Sequence, residues 1–112
     1  MGYTMTKGNE LWGRRLKEVR TGAGISQKQL GIQAGLDQFV ASTRINRYEV
    51  GVHKADYQIA QKLAAILNIP TGYLFTEDDQ LAELMLIYHH LGQRKRTELV
   101  RIARKLSSPA VT

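Results

Sequence analysis

Residues 26–51, SQKQLGIQAGLDQFVASTRINRYEVG, hold two short helical segments with so little chain between them that neither can fold far from the other. Ser26 is a good N-cap, and Gln29 three residues later can reach back as the second half of a capping box, so a helix starts at Gln27. Leu30 and Ala34 lie one turn apart on its inner face. Gly35 lets the chain leave in a left-handed conformation, which a residue with a Cβ adopts only at a cost. Asp37 is placed to cap a second helix over about 38–49. Projected on a helical wheel, Ala41, Ile45 and Tyr48 form one apolar stripe, the side expected to pack on the first helix.

The opposite side of that second helix carries Phe39, Val40, Thr43, Asn46 and Arg47, with Ser42 and Arg44 at its flanks. This is a useful set for reading the major groove of DNA. Arginine can grip guanine with two hydrogen bonds, asparagine can do the same to adenine, and hydroxyl or apolar side chains can meet bases or the thymine methyl. A capped helix, a glycine turn and an outward polar helix are the layout of a helix-turn-helix reader. An ordinary polar surface, with Phe39 folded back into a core, is the other reading of the same residues.

Several segments in order make the resemblance explicit: ELWGRRLKEVRTGAG at the first helix, Ile25-Ser26-Gln27, QLGIQAGL, INRYEVG, and LAAILNIPTGYLF. Residues 10–75 resemble the DNA-binding domain of the phage repressor and Cro family, the Xre family of bacterial regulators. The resemblance implies an all-α fold, a five-helix lambda-repressor-like DNA-binding domain, and the function of a sequence-specific transcriptional regulator. Counting back from Ile45 carries the family's base-reading positions onto Ser42 and Thr43, with Arg47 after them. It also implies an ion pair between Arg20 and Glu49 that fixes the angle between helices. Gln27 takes the family's phosphate-contacting place, and His53 and Lys54 fall in its backbone-gripping loop after Gly51; Lys28 and Arg44 are further candidates for phosphate contact. In one respect the chain departs from the pattern: between Gly35 and Ile45 it is about four residues longer. The reading helix therefore either begins a turn early or follows a longer loop.

The remaining elements read as scaffold. A first helix over Glu10–Arg20, with Asn9 as cap and Gly22 beyond its end, presents Trp12, Leu16 and Val19 as a buried stripe and leaves Arg14, Arg15 and Lys17 in solvent, with contact to the DNA backbone as the alternative. Asp56 caps a helix running to about Leu67 that buries Ile59, Leu63, Ile66 and Leu67. A short fifth helix over Thr71–Phe75 closes the core with Tyr73, Leu74 and Phe75. The expected organisation is a flexible N-terminus (1–8), the DNA-binding domain (9–76), a C-terminal helical hairpin (77–106) and a flexible tail (107–112).

Length and charge fit this organisation. A chain of 112 residues is enough for one modest core but short for a reader plus a separate sensing domain. Its net charge is +6, and residues 1–62 hold ten Lys or Arg against five Asp or Glu, an excess that draws polyanions by counterion release. A solvated basic surface would give the same count. There is no cysteine, so disulfides and thiolate metal sites are excluded. No apolar run approaches a membrane span, and a cytoplasmic, nucleoid-associated protein is expected. No nucleophile, base or phosphate-cradling motif stands at recognisable spacing, so no catalysis and no cofactor are expected. His89-His90 sit on different faces of a helix without a carboxylate or thiolate at ligand spacing, and no metal is expected there.

Beyond Phe75, Glu77, Asp78, Asp79 and Glu83 form an acidic patch, and Leu81, Leu84, Met85, Tyr88 and Leu91 then mark a helical apolar face. After Gly92 a second amphipathic helix carries Leu99, Ile102, Ala103 and Leu106. These apolar faces can be covered by the same chain or by a two-fold partner. A homodimer is the preferred reading, since repressors of the resembled family read pseudo-palindromic sites. The alternative is an antitoxin or other interaction module that captures a protein partner through the hairpin and binds DNA for autoregulation. Arg94, Lys95 and Arg96, opposed to the helix dipole, and Arg101, Arg104 and Lys105 can pair with the acidic patch, contact nucleic acid, or remain solvated.

Overall fold

Side-chain caps and glycines set most helix boundaries in residues 7–109, the part of the chain that the computed structural model describes. Its elements are α1 (Lys7–Gly22), α2 (Gln27–Gln33), α3 (Ala41–Glu49), α4 (Tyr57–Ile66), a 3₁₀ turn (Thr71–Phe75), α5 (Asp79–His90) and α6 (Gln93–Ser107). The described residues are all-α. Ser26 and Gln29 form the full capping box at α2, and Asp56 accepts from Ile59 N at 2.8 Å to start α4. Gly35 leaves α2 at φ 90°, and Gly24 turns the chain between α1 and α2 at φ 70°.

Helix α1 is longer than its sequence suggested. It begins at Lys7, so Asn9 is inside it, and the Asn9 amide reaches a tertiary acceptor, Gly51 O, at 3.5 Å instead of capping the helix. The remainder of the expected N-terminal segment, residues 1–6, lies outside the described residues, as do residues 110–112 of the tail. Ser107 closes α6 rather than opening that tail.

The core sits where α1, α2, α3, α4 and the 3₁₀ turn converge. Leu16, Leu30, Ile45, Leu63 and Leu74 are its largest fully buried side chains. Trp12 packs edge-on to Tyr48, as its place in the α1 stripe implied. Phe75 was expected inside but is about half exposed. It stands at the end of the 3₁₀ turn with its ring against the edge of Trp12, so one face covers the core while the other meets solvent.

Arg15 overturns the expectation of a solvated side chain, being only 4% exposed. Its guanidinium donates to Thr76 O at 2.9 Å, Glu77 O at 3.2 Å and Asp79 Oδ1 at 3.0 Å, and it lies over the Tyr73 ring. Two backbone carbonyls, a carboxylate and an aromatic face together satisfy a cation that periodicity alone assigned to water. Arg15 thereby ties α1 to the segment leading into α5. Truncation to Ala is expected to lower the unfolding free energy by about 1.5–3 kcal/mol, the range for hydrogen bonds made by a charged group. Arg15→Lys should recover only part of this in denaturant melts, because an ammonium cannot reproduce the fork.

The hairpin is partly anchored and partly free. Ala82 is buried and Leu86 packs against the core, while the Thr76 hydroxyl, which donates to Gly72 O at 2.7 Å, lies 3.2 Å from Met85 Sδ. Met85 is half-buried, touching Thr76 and Gly72 on one side and lining the groove between α5 and α6 on the other. His90 Nε2 donates to Asn68 O at 2.8 Å, pinning the far end of α5. Leu81, Leu84, Ile87 and Tyr88 remain substantially exposed. Helix α6 contains no fully buried residue, and between it and α5 runs an open apolar groove of about 370 Å³. Arg96 closes the C-terminus of α5 by donating to Tyr88 O at 2.9 Å and His89 O at 2.6 Å. This answers part of the unfavourable charge at the start of α6 with the negative end of another helix.

Candidate nucleic-acid interface

The outward side of α3 is built from a buried stripe on its other side. Ala41, Ile45 and Tyr48 are buried, which turns Ser42, Thr43, Asn46 and Arg47 into solvent on one exposed surface. The helix does not begin at residue 38. Residues 38–40 form a turn in which Val40 N donates to Asp37 O at 3.0 Å and Phe39 N to Asp37 Oδ1 at 2.8 Å. The Asp37 carboxylate is thus spent on the turn, and α3 starts at Ala41 without a side-chain cap. Packing fixes that start: a Cβ on Gly31 would lie 2.7 Å from Ala41 Cβ, so the bare Gly31 backbone receives the first residue of α3. The extra residues after Gly35 are accordingly a longer loop. Phe39, 86% exposed, and Val40 sit at the leading tip of α3 instead of on its face.

Glu49, at the other end of α3, is held from two sides. Arg20 Nε donates to Glu49 Oε2, Arg20 Nη2 donates to Glu49 Oε1 at 3.1 Å, and Arg20 Nη1 donates to Ile25 O at 3.0 Å. The side chains of Arg20 and Glu49 are 11% and 1% exposed, so this fork is a nearly buried bidentate pair between α1 and α3. Gln27 adds a second tie. Its amide nitrogen donates to Glu49 Oε1 at 2.9 Å and Asn46 Oδ1 at 3.2 Å, and Ser42 Oγ donates at a long 3.5 Å to Gln27 Oε1. Gln27 thus links the start of α2 to two of the exposed residues on α3 and pre-orients them. Its side chain is engaged with them and with Glu49 in this structure, alongside the phosphate role expected of it.

Lys28, Arg44, His53 and Lys54 are all exposed, and none forms an ion pair among the described residues. Lys28, Arg44 and Lys54 carry positive charge, and His53 offers ring nitrogens for hydrogen bonding. Two further positions went unnoticed at the level of sequence. Gly13 lies inside α1, where a Cβ would come 2.3 Å from Glu49 O and 2.5 Å from Tyr48 O, and Gly31 receives Ala41 as described. The available signal was a glycine inside each helical pattern, a residue that weakens a helix unless close packing requires it.

The sequence profile of a helix-turn-helix domain family matches residues 13–80, spanning α1 through the start of α5. The chain belongs to this helix-turn-helix domain family. Its structure is also similar to the crystal structure of the transcriptional regulator BswR, with 42% sequence identity, coverage of 83% of this chain and 92% of that one, and a TM-score of 0.80. No curated protein matches the sequence. The matched residues include both α2 and α3. The protein is a DNA-binding transcriptional regulator of this class.

Outside the helix-turn-helix domain, His89 is held below its ordinary pKa by partial burial, then by the nearby charges of His90 and Arg96. No group of three or more His, Cys, Asp or Glu side chains positioned to hold a metal occurs among the described residues, and none of their helices is long and apolar enough to cross a membrane.

Proposed function

We propose that the protein represses transcription as a dimer, occupying an inverted-repeat operator with one α3 in each major groove. The observation that carries this reading is the α3 face: Ser42, Thr43, Asn46 and Arg47 are exposed together while Gln27 and the Arg20–Glu49 fork hold the helix behind them. Arg47 and Asn46 supply the two side chains best suited to bidentate recognition of guanine and adenine, and Thr43 and Ser42 supply short contacts. Phe39 and Val40 bring apolar surface to the leading edge of the same helix. Lys28, Arg44, His53 and Lys54, with Gln27 at the start of α2, grip the phosphates and set register. The dimer surface draws on Leu81, Leu84, Tyr88, Leu91, Leu99, Ile102 and Leu106 of the hairpin. A cytoplasmic, nucleoid-associated protein without enzymatic activity follows from this role.

Selection of duplexes from a random library at near-physiological salt tests it, since non-specific electrostatic binding is suppressed there. Enrichment of an inverted repeat is the expected result; enrichment of no sequence overturns the reading. With the selected site, Arg47→Ala should cost about 1–3 kcal/mol and relax discrimination at one base pair. Lys54→Ala should weaken all sequences alike and lower the slope of log affinity against log salt by about one. A second reading, capture of another protein in the manner of an antitoxin, draws on the same exposed hairpin residues. It would be favoured if the purified protein remained monomeric and acquired operator affinity only with a partner bound.

A further inference from the structure

Two faces of the C-terminal hairpin carry exposed apolar residues beside opposite charge, yet do not meet within the chain. On the outer side of α5, Leu81, Leu84 and Ile87 line a shallow depression of about 490 Å³ rimmed by Asp78 and Glu83. On α6, Ile102 and Leu106 stand out of the helix surface, Leu106 being 83% exposed, and Lys105 and then Arg101 follow Ile102 around the helix. An apolar floor with an acidic rim is thus matched by an apolar ridge with a basic rim. The lengths agree as well: the 12 residues of α5 and 15 of α6 span about 18 and 22 Å.

Most of these charges also have no ionic partner, Asp78 serving as the N-cap that accepts from Leu81 N at 2.8 Å. Among the described residues, the ion pairs formed by these helices are Asp79 with Arg14 and Arg15 at the reading domain, and Arg101 with Glu98 one turn away at 4.0 Å. Within the same residues, Glu77, Asp78 and Glu83 meet no cation, and Arg94, Arg104 and Lys105 meet no carboxylate. The expected pairing of acidic patch and basic run therefore does not form inside one chain. The reason is geometric: α6 departs from α5 at Gly92 and leaves the open groove between them, while α5 is fixed to the domain through Arg15–Asp79, Ala82 and His90–Asn68.

We infer that α6 of each subunit lies along the outer face of α5 of a second copy of this chain, Ile102 and Leu106 entering the Leu81–Leu84–Ile87 depression and Arg101 and Lys105 meeting Asp78 and Glu83. The inference rests on the dimeric reading above and specifies its interface. A two-fold axis makes the contact twice, so each subunit gives one α6 and receives one, and the assembly closes as a dimer. Removal of both apolar faces from water supplies the main attraction; the charged rims set register and reject misaligned partners.

Charge exchange between two variants tests this. Glu83→Lys alters the acidic rim, and Arg101→Glu with Lys105→Glu alters the basic one; all three residues are exposed, so both full-length variants should melt like the wild type. In sedimentation equilibrium, wild type should dimerise, and each variant alone should dimerise at least tenfold more weakly. An equimolar mixture should form a one-to-one heterodimer at near wild-type strength, because both contacts in that pair join opposite charges. Variants that dimerise as well as wild type, or a mixture that stays monomeric, would overturn the exchange while leaving a dimeric reader intact. A monomeric wild type would remove the dimeric reading itself, and the exchange with it.

Discussion

Glu49→Ala is expected to lower the unfolding free energy by about 3–5 kcal/mol, the cost of leaving one partner of a buried ion pair uncompensated. Arg20 is nearly buried between α1 and α3, and its fork to Glu49 satisfies Nε and Nη2, with only Nη1 served by Ile25 O. Without the carboxylate, the cation must either stay unpaired or drag its side chain to solvent. The loss extends to function, since Gln27 also donates to Glu49 and thereby loses one of the two acceptors that align it with Asn46. Operator affinity measured well below the melting temperature should therefore fall along with stability. Replacing both Arg20 and Glu49 by methionine should cost much less than the sum of the single losses, because removing the pair together strands no charge. Additive losses in that double-mutant cycle would show that the pair is not the source of the effect.

Gly13→Ala is expected to destabilise by about 3 kcal/mol or more, even though alanine favours a helix by about 1 kcal/mol over glycine. The new methyl would be placed 2.3 Å from Glu49 O and 2.5 Å from Tyr48 O. Both obstacles are backbone, so no side-chain rotation relieves them; α1 and the end of α3 must move apart. That movement also opens the Arg20–Glu49 fork, which bridges the same two helices. Gly22 offers the control. It lies at the end of α1, where an added Cβ would meet nothing within 4 Å, and Gly22→Ala should be neutral or stabilising by up to about 1 kcal/mol in the same denaturant titration. Equal behaviour of the two substitutions would refute the close approach.

These two residues mark different limits of sequence reading. The Arg20–Glu49 pair was available by resemblance, because its partners occupy matching places in a familiar pattern. Gly13 was not, because nothing in its neighbours along the chain announces the carbonyl of a residue in α3. Arg15 shows the same limit with the opposite error. Its helical position away from Trp12, Leu16 and Val19 argues for solvent, but the 3₁₀ turn and the start of α5 come across that side of α1 and bury it. The loop after Gly35 failed for a subtler reason. Asp37 is a competent cap, yet its carboxylate binds the N–H of Phe39 in a turn, and the packing of Ala41 on Gly31 decides where α3 begins.

Sequence by itself determined the elements whose causes are local: the capping box at Ser26, the Asp56 cap, the left-handed exit at Gly35, the Ala41–Ile45–Tyr48 stripe and, from that stripe, the polar face opposite. Each depends on residues within one or two turns, where backbone geometry dictates which side chains are neighbours. Tertiary structure alone decided that Gly13 admits the α3 backbone, that Arg15 is buried, that Gln27 braces Asn46 and Glu49, and that α6 leaves its apolar and basic face uncovered. Those outcomes depend on where distant segments approach in space, and the same helical period permits a side chain to meet either water or another helix until that approach is made.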